Sequence, residues 1–142
     1  MIVCVDASLV LKCLTWEDGS DRALQWLKSW AEEQIIAPPF LCMEVASVLR
    51  QKMRRGEVSR EDCIEALRLL DGLGITYVWD SELLDRAFAM AIDLDQPTVY
   101  DTAYLALAER EQCELWTADE RFVATVSGRH SFVRGLGTLE PR

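Results

Sequence analysis

Met1-Ile2-Val3-Cys4-Val5-Asp6-Ala7-Ser8 opens the chain, and its reading decides the architecture. A short apolar run, β-branched at Ile2, Val3 and Val5, stops at the carboxylate of Asp6. Residues 8–14 then form a helical turn or a short helix. The same order returns near the other end. Glu114-Leu115-Trp116-Thr117 reads as a strand, and residues 119–126 read as a short helix that begins at Asp119.

Between these two units, helical and strand patterns alternate. Residues 21–34 place Ala23, Leu24, Trp26, Leu27, Trp30 and Ala31 at a helical period. Residues 35–37 are a strand candidate ended by Pro38-Pro39, prolines that suit the start of the helix expected over 40–55. Gly56 is placed to end that helix. Ser59 with Asp62 resembles a capping box and opens a helix to about residue 73. Residues 75–79 are strand-like, residues 81–94 and 98–111 helical, and residues 131–133 a last strand candidate. Alternating strands and helices predict an α/β layered fold with a mostly parallel sheet and helices on both faces.

The chain has 142 residues, and residues 1–142 are expected to form a single domain. Half of them are hydrophobic and 27% are charged, a composition that supports a packed core and excludes a disordered chain. No apolar run approaches the ~18 residues of a membrane span, and the first residues lack the basic segment of a signal peptide. A cytoplasmic protein is expected. The 24 acidic against 15 basic residues give a net charge of −9, which excludes a simple basic coat for nucleic acid. Either nucleic acid is not the partner, or the acids are gathered for a purpose such as holding cations. Cys4, Cys13, Cys42, Cys63 and Cys113 include no C-x-x-C pair and read as reduced thiols in apolar runs. With His130 the single histidine, a histidine-rich zinc site and a Ser-His-Asp triad are not expected.

Four acids stand out. Asp6 ends the first strand and Asp119 follows the strand Glu114–Thr117. Glu44 lies in Phe40-Leu41-Cys42-Met43-Glu44-Val45-Ala46-Ser47-Val48, with no basic residue at helical spacing. Asp101 begins an apolar helix, Tyr100-Asp101-Thr102-Ala103-Tyr104-Leu105-Ala106. In a parallel α/β sheet, strand C-termini and the following helix N-termini share one edge, where ligands bind. All four acids are therefore expected in one crevice. Four neighbouring carboxylates do not all stay ionised unaided, and a hard cation, Mg²⁺ or Mn²⁺, resolves the conflict. Phosphodiester hydrolysis is the chemistry natural to such a centre. Ser8 and Thr117, two positions from Asp6 and Asp119, are candidates to orient the carboxylates or a water.

Three of the four acids also have a structural reading, whereas Glu44 interrupts an apolar helix interior and has none as ready. Asp6 and Asp119 can cap the helices they precede. Thr98 with Asp101 fits a capping box. The basic run that holds Lys52, Arg54 and Arg55 complements the dipole of a helix end, and is also the densest positive patch available to an RNA backbone. The five tryptophans are expected mostly in the core, and Asp93 and Asp95 in solvent.

These stretches resemble the motifs of PIN-domain nucleases, especially the VapC-type toxins of prokaryotic toxin–antitoxin pairs. Val3-Cys4-Val5-Asp6-Ala7-Ser8 is similar to the first motif, Pro38 to Leu49 to the second, Tyr100 to Glu109 to the third and Leu115 to Phe122 to the fourth. Asp101 and Asp119, 18 positions apart, are the most specific pair. The resemblance covers essentially the whole chain. It implies a PIN-like α/β/α sandwich on a five-stranded parallel sheet and a homodimer. It also implies Mg²⁺- or Mn²⁺-dependent endoribonuclease activity at Asp6, Glu44, Asp101 and Asp119. The partner it implies is an antitoxin whose C-terminal segment blocks the acidic site, often with an arginine.

Two alternatives are weighed against this. A metal-dependent phosphatase of the dehalogenase type wants Asp-x-Asp after the first strand, where this chain has Asp6-Ala7-Ser8. A non-catalytic PIN-like module that binds RNA or protein is favoured by a missing fourth acid, and none is missing.

Overall fold

The computed structural model describes residues 1–139. The chain runs β1 (Ile2–Val5), α1 (Ala7–Leu14), α2 (Ser20–Ser29), β2 (Gln34–Ala37), α3 (Leu41–Arg54), α4 (Arg60–Gly72), β3 (Thr76–Tyr77), α5 (Ser81–Asp93), α6 (Tyr100–Glu111), β4 (Glu114–Thr117), α7 (Glu120–Val126) and β5 (Val133–Gly135). A single 3₁₀ turn, Leu136–Thr138, follows. The strands form one parallel sheet in the order β3-β2-β1-β4-β5.

This order explains where a ligand belongs. From β1 the chain steps outward to β2 and β3, then returns across β1 to place β4 and β5 on its other side. Strand order reverses between β1 and β4, and their C-terminal ends open a crevice. Val3, Cys4 and Val5 of β1 are fully buried, as befits a central strand covered on both faces. Helix α6 is buried at seven consecutive residues, Thr102–Ala108, so it runs through the interior and not along the surface.

Four local features depart from the sequence reading. The helix expected over 21–34 stops at Ser29. Trp30 caps it, and Gln34 is drawn into β2 beside Ile2, so parallel pairing with β1 overrides the helical period. Gly19 enters this helix at φ 89°, a left-handed conformation that suits glycine. β3 has two residues where five were expected, which keeps the sheet edge short. The last strand begins at Val133, where Leu115 sets its register, and not at Ser131. Thr98 and Asp101 form no capping box, because Val99 is the N-cap of α6 and no side chain caps it.

Among the tryptophans, Trp26 and Trp116 are buried, but Trp16 is 77% exposed and does not belong to the core. All five cysteines are free thiols. Among the described residues, no helix is long and apolar enough to cross a membrane.

Candidate functional site

Asp6 leaves β1 at its C-terminal end and caps α1, its Oδ1 accepting from the Leu9 amide at 3.1 Å. The Ser8 hydroxyl donates to the same oxygen at 2.7 Å, and the Thr117 hydroxyl donates to Oδ2. Each hydroxyl has one proton, and both protons serve the Asp6 carboxylate. The 3.2 Å approach of Ser8 Oγ to Thr117 Oγ1 is then a close contact and not a third bond. The two hydroxyls accept in turn from the β4–α7 turn, Ser8 from the Ala118 amide and Thr117 from the Asp119 amide, each at 3.0 Å. Asp119 Oδ1 accepts from the Phe122 amide at 3.1 Å and caps α7. The capping readings of Asp6 and Asp119 are thus correct, and the caps hold both carboxylates at the crevice.

Glu44 and Asp101 arrive from helices. Glu44 is in the first turn of α3, half-buried, and its Oε1 accepts from the Tyr104 hydroxyl at 2.6 Å. Asp101 is in the first turn of α6 and makes no hydrogen bond or ion pair among the described residues. One pocket of about 220 Å³ is lined by Asp6, Ser8, Glu44, Asp101, Tyr104 and Asp119, with Leu11 and Val48 on its apolar wall. No cation lines it.

The electrostatics follow from burial and like charge. Asp6 is 7% exposed. Burial pushes its carboxyl up to about 6 from an ordinary 3.8, against the pull of its three donors, and Asp101 adds to the rise. Burial also raises Glu44, opposed by the Tyr104 hydrogen bond and reinforced by Asp101. Asp101 is raised by burial and then by Asp119.

Sequence reasoning named four pocket acids, and all four line the pocket. Thr117 lies behind Asp6, fully buried. Lys52, Arg54 and Arg55 are not part of it. They stand at the far end of α3, two helical turns or more from Glu44. Lys52 pairs with Glu17 at 3.3 Å and Arg55 with Glu57 at 2.8 Å. Asp93 and Asp95 are exposed and do not line the pocket. Tyr104 was missed. Its only signal was its place one turn after Asp101 on an otherwise apolar helix.

The donor set fits a hard divalent cation, with carboxylates and hydroxyls only and no competing positive charge. Among the described residues, no group of three or more Asp, Glu, His or Cys side chains is arranged so as to enclose an ion. The acids line a pocket and do not converge on a point.

The PIN domain family matches residues 3–126. The chain belongs to the PIN-domain family. It is 33% identical over 124 residues to VapC ribonuclease Mb0985 of Mycobacterium bovis, across 87% of this chain and 91% of that protein. It is also 33% identical to ribonuclease VapC3 of Pyrobaculum aerophilum, across 89% of this chain and 99% of the relative. Among solved structures, PAE2754 of Pyrobaculum aerophilum superposes with a TM-score of 0.72 at 19% identity, over 97% of this chain and 91% of that one. Mycobacterium tuberculosis VapC20, a sarcin-ricin loop cleaving toxin, superposes at 0.67 and 13% identity, over 86% and 93%. At these identities the two structures speak for the fold alone. This PIN domain therefore has VapC ribonucleases as its relatives and the PIN-like α/β/α fold its sequence predicted.

Proposed function

We propose that this PIN domain is a Mg²⁺- or Mn²⁺-dependent endoribonuclease, the toxin of a toxin–antitoxin pair acting in the cytoplasm. The observation that carries the reading is the pocket at the β1/β4 switch point that Asp6, Glu44, Asp101 and Asp119 line together, with no Lys, Arg or His of the described residues in its lining. The relatives named ribonucleases point to RNA as the substrate.

Asp6, Glu44, Asp101 and Asp119 would hold the ion, and Ser8 and Thr117 would hold Asp6 for it. A divalent cation supplies charge neutralisation at the phosphate and makes water a stronger nucleophile. The protein contributes position. Asp6 and Asp119 are fixed by helix caps, and Asp6 also by the Ser8 and Thr117 hydroxyls, so two carboxylates are set before RNA arrives. Asp101, held by no hydrogen bond among the described residues, is free to adjust. Water attacks phosphorus, the bond to the 3′ oxygen breaks, and the products carry 5′-phosphate and 3′-hydroxyl ends.

The negative pocket also suits an antitoxin segment that presents Arg or Lys. Leu84, Phe88 and Ile92 form an exposed apolar stripe at helical spacing on α5, which supports a homodimer. Lys52, Arg54 and Arg55 remain a positive patch for the RNA backbone beyond the pocket.

The test is cleavage of RNA by the purified protein with Mn²⁺ and with excess EDTA, followed by end analysis. Cleavage should require the metal, and Asp101→Asn should slow it by ~10²-fold or more. Cleavage that persists in EDTA, or that leaves 2′,3′-cyclic phosphates, overturns the reading. No cleavage by folded protein under any metal favours the non-catalytic module.

A further inference from the structure

We propose that Tyr104 is a positioning residue for Glu44: its hydroxyl fixes the Glu44 carboxylate against the pocket, with Oε2 left free toward the site. The inference rests on the ribonuclease reading above and adds a residue to it.

Three observations carry it. The Tyr104 hydroxyl donates to Glu44 Oε1 at 2.6 Å, the length of a well-formed hydroxyl–carboxylate bond, and joins α6 to α3. Tyr104 itself does not move easily. It is 1% exposed, Phe40 packs edge-on against its ring at 5.4 Å between centroids, and the Cys4 thiol donates to its backbone carbonyl at 3.8 Å. Among the described residues, Glu44 has no other side-chain partner.

The bond also has one direction. The phenol carries one proton and the ionised Glu44 carboxylate can only accept, so Tyr104 is the donor. One phenol proton satisfies one carboxylate oxygen. The second oxygen has no partner to draw it away from the pocket.

The pairing costs more than mere satisfaction of a buried hydroxyl would require. A phenylalanine at 104 would fill the same volume without a polar atom. Glu44 is a half-buried carboxylate in a largely apolar stretch of α3. A glutamate side chain has several rotatable bonds, and ordering it on ion binding is unfavourable. A rigid donor that orders it beforehand removes that penalty. Groups that orient a metal-binding carboxylate typically change metal affinity or activity by 10–100-fold when lost.

The experiment uses Tyr104→Phe, which keeps the ring against Phe40 and removes only the hydroxyl. Mn²⁺ binding is read from the free-ion electron paramagnetic resonance signal, alongside RNA cleavage, for wild type, Tyr104→Phe, Glu44→Gln and the double variant. The expected result is Mn²⁺ affinity weaker by about 10-fold in Tyr104→Phe, with the wild-type circular dichroism spectrum. The double variant should bind no more weakly than Glu44→Gln, because the hydroxyl acts through that carboxylate. Mn²⁺ affinity equal to wild type in Tyr104→Phe overturns the positioning role. So does an additive loss in the double variant, or a Tyr104→Phe protein that does not fold, since the hydroxyl is then structural. A wild type that binds no Mn²⁺ and cleaves no RNA overturns the ribonuclease reading itself, and Tyr104 with it. Wild-type binding and cleavage beside an unaltered Tyr104→Phe remove only this inference.

Discussion

Asp6 holds two contrary conditions in one side chain. Its three donors favour the ionised form, while burial disfavours it more strongly. Its carboxyl in the folded chain sits at about 6, above the ordinary 3.8. A raised folded value contributes stability that is fully present below the unfolded value and is lost as pH rises through the folded one. In metal-free protein, this residue should therefore remove roughly 3 kcal/mol between about pH 4 and pH 6. Chemical denaturation in EDTA across that range checks this. Asp6→Asn, which keeps an acceptor for the Leu9 amide, should flatten the profile. A wild-type profile as flat as that of the variant would show that Asp6 is ionised at little cost.

At the scale of elements, the site is made from strand ends and helix starts held together by two hydroxyls. Ser8 comes from α1 and Thr117 from the end of β4, and both reach Asp6. The Thr117 hydroxyl also accepts from the Asp119 amide. A valine there keeps the shape and removes both bonds. It leaves a partly buried amide without its acceptor and takes one donor from Asp6, a loss of about 1–3 kcal/mol. Thr117→Val should melt several degrees below wild type and cleave RNA on the order of 10-fold more slowly. Thermal melts and single-turnover cleavage measure the two effects. A stable variant with full activity would show that the bridge between β1 and β4 is dispensable.

For the whole molecule, a net charge of −9 with four acids in one pocket means that a cation should stabilise the fold by mass action. At a hundred times its dissociation constant, Mn²⁺ should add about 2.7 kcal/mol. Asp101→Asn removes one of the repelling charges. Without metal, it should melt at or above the wild-type temperature, and with Mn²⁺ it should gain much less. Equal shifts in the two proteins would mean that the acids do not share one ion. Calorimetric melts in EDTA and in saturating Mn²⁺ separate these outcomes.

Much of this was legible in the residues themselves. Ile2–Val5 is a strand because a strand buried on both faces needs an unbroken apolar sequence, and Glu114–Thr117 carries the shorter apolar pair Leu115-Trp116 between its polar ends. Asp6 and Asp119 were found at their ends because a carboxylate that follows such a run is both a helix cap and a crevice residue. Their capping bonds to the Leu9 and Phe122 amides join residues three positions apart, a distance a sequence displays, whereas the Thr117 hydroxyl reaches Asp6 across 111 positions. Strand order was different, because parallel pairing joins residues far apart in the chain. The register of Ile2 with Gln34 ended α2 at Ser29 and made residue 34 a strand residue. Contacts across the chain also decided that Lys52 turns to Glu17 instead of the pocket. Tyr104 meets Glu44 across 60 positions of chain. No local period encodes that contact, since it exists only once α3 and α6 are packed.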